Sequence, residues 1–172
     1  GPSDDPVSYP MATKVHYEFP RRGLMPAVDL HWYDGGLMPK RPPELPADVE
    51  LERGGGVIFV GERGILMHET YGENPQLYPQ SLHEEAASVP QTHARIEESH
   101  EMNWANACMG IGEPTSPFSY AAPLTEVMLL GLVALRGGQG FRMAYDADNM
   151  RVLNSDDANA YLTRAYRDGW SL

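Results

Sequence analysis

The sequence predicts an α+β domain: mainly an antiparallel open sheet with helices packed on one face. Three observations carry this. Up to about Met67 the chain holds short alternating or apolar segments, joined by glycine- and proline-rich connections in the manner of hairpins. Helical periodicity appears only afterwards, from about Ala94. Strands that precede helices, instead of alternating with them, point away from a parallel βαβ sheet.

Residues 1–10 hold three prolines and two aspartates without periodicity, as expected of a linker or arm, and the domain is expected to occupy residues 11–172. Ala12 to Phe19 alternates, with Val15, Tyr17 and Phe19 on one side and Lys14, His16 and Glu18 on the other, a half-solvated strand. Ala27 to Tyr33 repeats the pattern, Val28, Leu30 and Trp32 opposing Asp29, His31 and Tyr33. Pro20, Gly23 and Pro26 keep the connection from being helical, so the two strands are expected to pair antiparallel. Pro39, Pro42, Pro43 and Pro46 make the next stretch a long extended loop. Gly56 to Met67 reads as two apolar strands about a glycine-bounded turn requiring positive φ. Residues 71–90, with Pro75, Pro79 and Pro90, read as loop.

From Ala94 to Met109, Ile96, His100, Trp104 and Cys108 recur four apart with Glu97, Glu98 and Glu101 outside, a helix capped by Thr92 and stopped by Gly110. A second helix is expected from Phe118 to Arg136, closed by Gly137 and Gly138, with Pro123 in its first turns or kinking it. It is apolar nearly all round from Leu124 and reads as the buried core element. Its run from Val127 to Leu135 is about half the roughly 20 residues a membrane span needs. Phe141 to Tyr145 offers a last strand, and Ala158, Tyr161, Leu162 and Ala165 a short helix capped from Ser155 or Asp156.

The net charge of -11, from 13 Lys+Arg against 24 Asp+Glu in 172 residues, disfavours nucleic-acid binding, which needs clustered cations. The single cysteine, Cys108, excludes an internal disulfide and reads as a buried structural thiol; cytoplasm is the default compartment, with the periplasm left open. The glycine clusters 54–56, 110–112 and 137–140 miss the dinucleotide-loop spacing and read as turns. The six histidines lack zinc-motif spacing, so no metal set is read.

The strongest candidate site is His31-Trp32-Tyr33-Asp34-Gly35-Gly36. Rings stack on the faces of a polar ligand, a carboxylate accepts its hydroxyl protons, and glycines let backbone approach. Substrate-binding candidates are Tyr33, Asp34, Trp32 and Arg22, the last as a possible grip on a carboxylate or phosphate. The competing reading of the segment is a strand-ending Asx turn with Trp32 as a core anchor; for Arg21 and Arg22 the commoner reading is an exposed pair making salt bridges. Tyr166, Arg167 and Trp170 read as a docking tail.

Phe19-Pro20-x-Arg22-Gly23, Leu30 to Gly36 with Pro39 and Pro42-Pro43, and Phe59-Val60-Gly61-x-x-Gly64 come first in a longer run of motifs. Tyr120-Ala121-x-Pro123-Leu124-Thr125-Glu126, Leu129 to Arg136, Asn149-Met150, Asn154 and Tyr166-Arg167-x-Gly169-Trp170 complete it. Together they resemble the C-terminal domain of the Gfo/Idh/MocA oxidoreductases (glucose-fructose oxidoreductase, inositol dehydrogenase and relatives), over nearly the whole chain and closest to a bacterial dehydrogenase-like branch. The resemblance implies an NAD(P)-dependent enzyme acting on sugars, cyclitols or related polyols. Its N-terminal Rossmann domain, absent from this chain, would hold NAD or NADP, and this α+β domain would form part of the substrate pocket and a homo-oligomer interface through the sheet. The family's cofactor loop and proton-transfer pair precede this region, so no catalytic or cofactor-binding residue carries over, and the chain alone is expected to be inactive. No nucleic-acid or membrane partner is implied. The alternatives are a free-standing, non-catalytic carbohydrate-binding or assembly module and an NAD-assisted glycosidase.

Overall fold

The structure, a computed structural model, describes residues 9–170. The expected arm at residues 1–10 therefore lies almost wholly outside the described residues. The protein is α+β, and its strands pair antiparallel throughout. Among the described residues the strands are divided among three small sheets, and the chain separates into two compact units between Ala94 and Arg95.

The first unit opens with a two-stranded ribbon, β1 (Lys14–Phe19) and β2 (Val28–Tyr33), in the register Lys14 with Tyr33 through Phe19 with Val28. Exposure along β1 alternates as the pattern of side chains requires: Val15, Tyr17 and Phe19 are half-buried, while Lys14, His16 and Glu18 are exposed. The long loop after β2 is folded around the Arg41 guanidinium, which donates to the carbonyls of Leu45 (2.9 Å), Pro46 and Val49 (3.3 Å) while Leu45 is buried. An arginine that saturates loop carbonyls replaces the ladder bonds that the prolines cannot make.

Next comes a three-stranded sheet of β3 (Gly56–Val60), β4 (Ile65–Glu69) and β5 (Gln76–Tyr78), with the buried Ile65 starting the central strand. The predicted hairpin is present, but its turn closes with the Gly61 N–H donating to Gly64 O at 2.9 Å and uses no positive φ at either glycine. Gly64 is needed for space instead: a Cβ there would lie 2.0 Å from the carbonyl oxygen of Tyr78. Strand β5 and helix α1 (Gln80–Ala86) correct the reading of 71–90 as loop. Pro79 sits at the N-cap position, where its missing N–H costs no helical bond, so the proline starts a helix instead of preventing one.

The second unit holds α2 (His100–Cys108), α3 (Phe118–Gly137), β6 (Tyr145–Asp146), β7 (Arg151–Val152) and α4 (Asp156–Asn159). Helix α2 begins later than its periodicity suggested, capped by the Ser99 hydroxyl, which accepts from Met102 N at 3.3 Å, and not by Thr92. Its buried residue is Asn103, whereas Trp104 and Cys108 are exposed; the expected buried thiol is corrected accordingly. Asn103 Oδ1 accepts from the N–H and hydroxyl of Thr115 at 2.8 and 3.0 Å, and its amide donates to Glu98 at 2.8 Å, so polar contacts define the inner face.

Helix α3 has the expected bounds, with Pro123 in its second turn, but it is not the buried element expected. Only Gly131 and Val133 are buried, while Phe118, Leu124, Met128 and Leu129 are more than half exposed. Val133 joins Val152 and Ala158 in a small core, flanked by Met143, Tyr145 and Leu162. Asn159 stitches this core from the side: its Oδ1 accepts from Val152 N (2.8 Å), and its Nδ2 donates to the carbonyls of Val152 (2.8 Å) and Ser155 (3.0 Å). Ser155 caps α4 as expected, accepting from Ala158 N at 3.2 Å. The β6–β7 hairpin replaces the single strand predicted at Phe141 to Tyr145.

Candidate functional site

The ribbon's open end carries the candidate segment. Asp34 N donates to Thr13 O at 3.1 Å, and Thr13 returns its N–H to Asp34 Oδ1 and its hydroxyl to Oδ2, each at 2.5 Å. The Trp32 indole N–H also donates to Oδ2, at 3.2 Å. The carboxylate thus clasps both strands and orients the ring beside it. The Thr13 hydroxyl does most to hold the Asp34 carboxyl below its ordinary range; the Thr13 N–H and the Trp32 indole add to this, and burial opposes it in part. Asp34 is therefore an ionised, hydrogen-bonded strut and not a base waiting for a proton.

Gly35 has φ +61°, and a Cβ at this position would lie 2.0 Å from Met11 O and 2.4 Å from Ala12 Cα. The close backbone approach that this glycine permits is made to the chain's own entry into β1. Trp32 is 52% exposed, so it is not a core anchor. It shares a ribbon face with Val15 and Leu30, and its ring is open to a flat ligand.

Tyr33, as the next residue in the strand, faces the other way. The Lys14 ammonium lies 5.3 Å from the centre of its ring, and the His31 ring is 6.5 Å away. Arg22 sits at the far end of the ribbon, in a backbone bridge with Met25 (2.9 and 3.2 Å) beyond the Phe19–Val28 pair. All six paired positions of the ribbon, at about 3.4 Å each, lie between it and Asp34, a separation of more than roughly 20 Å. Of the four candidates, Trp32 and Asp34 are brought together, and Tyr33 and Arg22 are placed apart from them.

The opposite face of the ribbon holds a group that linear spacing did not single out. The register sets His16 against His31 and Glu18 against Asp29, with His16 Nε2 3.4 Å from Asp29 Oδ1 and the imidazoles stacked at 4.3 Å. The signal was available in the alternation of the two strands, once their register was known. In the second unit a shallow concavity is lined by Tyr161, Leu162, Thr163, Arg164 and Tyr166, none of them a predicted site residue. The expected docking tail holds itself by stacking, Arg167 over Trp170 at 4.5 Å.

No protein-family model and no curated protein matches this chain.

Proposed function

We propose that this chain is the substrate-facing and assembly domain of an NAD(P)-dependent oxidoreductase of the Gfo/Idh/MocA type, acting on a sugar, cyclitol or related polyol. The observation that carries the reading is the imbalance between its core and its apolar surface. Among the described residues the buried apolar side chains are Leu45, Ile65, Val133, Val152 and Ala158, while much of α3 and the Leu30 and Trp32 side chains on one face of the ribbon stay open. Apolar faces of that kind are the mark of surfaces completed by another body. By length and hydropathy alone α3 would also reach across a bilayer. Against that, Glu126 within the helix accepts from the Tyr145 hydroxyl at 2.7 Å, which fastens it to β6.

The chain's own residues do not fit a dinucleotide. Its glycine clusters lead into β3 or follow α2 and α3, and none opens a helix where a diphosphate could meet free N–H groups. On this reading hydride chemistry belongs to a companion nucleotide-binding domain. This chain contributes the Trp32 ring, fixed by Asp34, as a platform for a polyol face, and apolar surfaces for assembly.

Expression of the chain together with the reading frame that precedes it, assayed for NAD(H) turnover over a panel of sugars and inositols, tests the reading. Turnover is expected there, and Trp32→Ala should raise KM about tenfold, the equivalent of 1.4 kcal/mol. Binding of NAD(H) by residues 1–172 alone would contradict the proposal.

A further inference from the structure

His16, Glu18 and Asp29 lie on one face of the ribbon and offer an imidazole nitrogen and two carboxylate oxygens, all within 4.8 Å of one another. His16 and Glu18 are two apart on β1, so the pleat sends both to the same side, and Asp29 arrives from β2 directly opposite Glu18. Two carboxylates facing each other across an antiparallel pair repel, and a cation placed between them turns that repulsion into attraction.

We propose that this triad is a divalent transition-metal site that bridges β1 and β2, with zinc as the reference ion. One imidazole with two carboxylates is a donor set for first-row divalent ions; without the nitrogen it would suit magnesium or calcium better. Ligands at about 2.0–2.2 Å from a tetrahedral ion stand about 3.4 Å apart. His16 Nε2 and Asp29 Oδ1 already stand at 3.4 Å. A Glu18 carboxylate oxygen lies within the same 4.8 Å and completes the set.

The stack on His31 restrains the His16 ring without occupying Nε2, the atom that faces Asp29. Lys14, the cation on the same ribbon face, is directed to the Tyr33 ring. All three ligand residues are exposed, so an ion held by them keeps coordination positions open to water or to an oxygen ligand. The linear sequence hides the set because its members are brought together by strand register and not by a short motif.

The experiment is calorimetric titration of the whole chain with Zn²⁺, followed by NMR with Mn²⁺ as a paramagnetic probe. One ion per chain is expected. His16→Ala and Asp29→Asn should each weaken binding at least about tenfold, with the circular dichroism spectrum of each variant checking that the ribbon is retained. Mn²⁺ should broaden the resonances of His16, Glu18 and Asp29 first. The proposal is overturned if the wild-type chain takes up no Zn²⁺ at millimolar concentration, if both variants bind as the wild type does, or if the broadening centres on His68, His83, His93 or His100. None of these outcomes involves NAD(H), so the site stands or falls separately from the oxidoreductase reading.

Discussion

The ribbon β1–β2 and the cluster around Val133, Val152 and Ala158 are two small structures held by different physics. The ribbon has no buried residue; its coherence comes from ladder bonds, cross-strand ring and charge pairs, and the Asp34–Thr13 clasp. The cluster in the second unit depends on three buried apolar side chains and on Asn159, whose amide takes the place of a missing strand partner. The contrast teaches where each should be sensitive: the cluster to side-chain volume, the ribbon to charge, pH and bound cations.

The largest effect should come from breaking the cluster. Val152→Ala removes methyl groups from a site that is 1% exposed and should cost about 2–3 kcal/mol in urea unfolding. The ribbon's NMR shifts should stay in place, and a comparable disturbance there would erase the distinction. Asn159→Ala, which takes away three bonds to backbone and leaves Val152 N without its acceptor, should cost about 1–3 kcal/mol by the same measurement.

In the ribbon, Thr13→Ala should cost about 1–2 kcal/mol, because a charge-assisted hydrogen bond to Asp34 is lost. The pH profile sharpens this. The folded-state pKa of Asp34 is lowered, so its contribution is present above the ordinary carboxylate pKa and is lost as pH falls through the lowered value. The gap between wild type and Thr13→Ala should therefore narrow in acid; a gap independent of pH would show that the clasp is not electrostatic.

The smallest effect belongs to Tyr145→Phe, about 1 kcal/mol from the lost bond to Glu126. Desolvation by burial, with Glu126 adding, pushes the Tyr145 hydroxyl up to about 12. Its stabilisation is thus complete below the free tyrosine value of about 10 and disappears as pH rises toward the folded one. Ultraviolet titration of the phenolate checks this directly.

Where the chain follows one simple period, its structure was legible. Val15, Tyr17 and Phe19 against Lys14, His16 and Glu18 gave β1 and its faces, and the glycines around Phe59 and Leu66 gave the β3–β4 hairpin. Helix α3 was legible in extent but not in environment, since an all-apolar helix reads the same whether its cover lies within the chain or elsewhere. Helix α1 was hidden because Pro79 reads equally as breaker and as start. In the candidate site, Trp32 and Asp34 were found from the string of residues, yet their mutual bond and Thr13's part in it were not. A contact between residues 21 apart leaves no trace in local spacing. The same limit concealed His16 with Asp29.

The central claim is that this chain's apolar faces, α3 above all, are completed by a companion domain. Hydroxyl-radical footprinting of Phe118, Met128 and Leu129, in the chain alone and in the protein expressed with its preceding reading frame, tests it most directly. The account predicts strong labelling in the isolated chain and clear protection in the longer protein; equal labelling in both would contradict it.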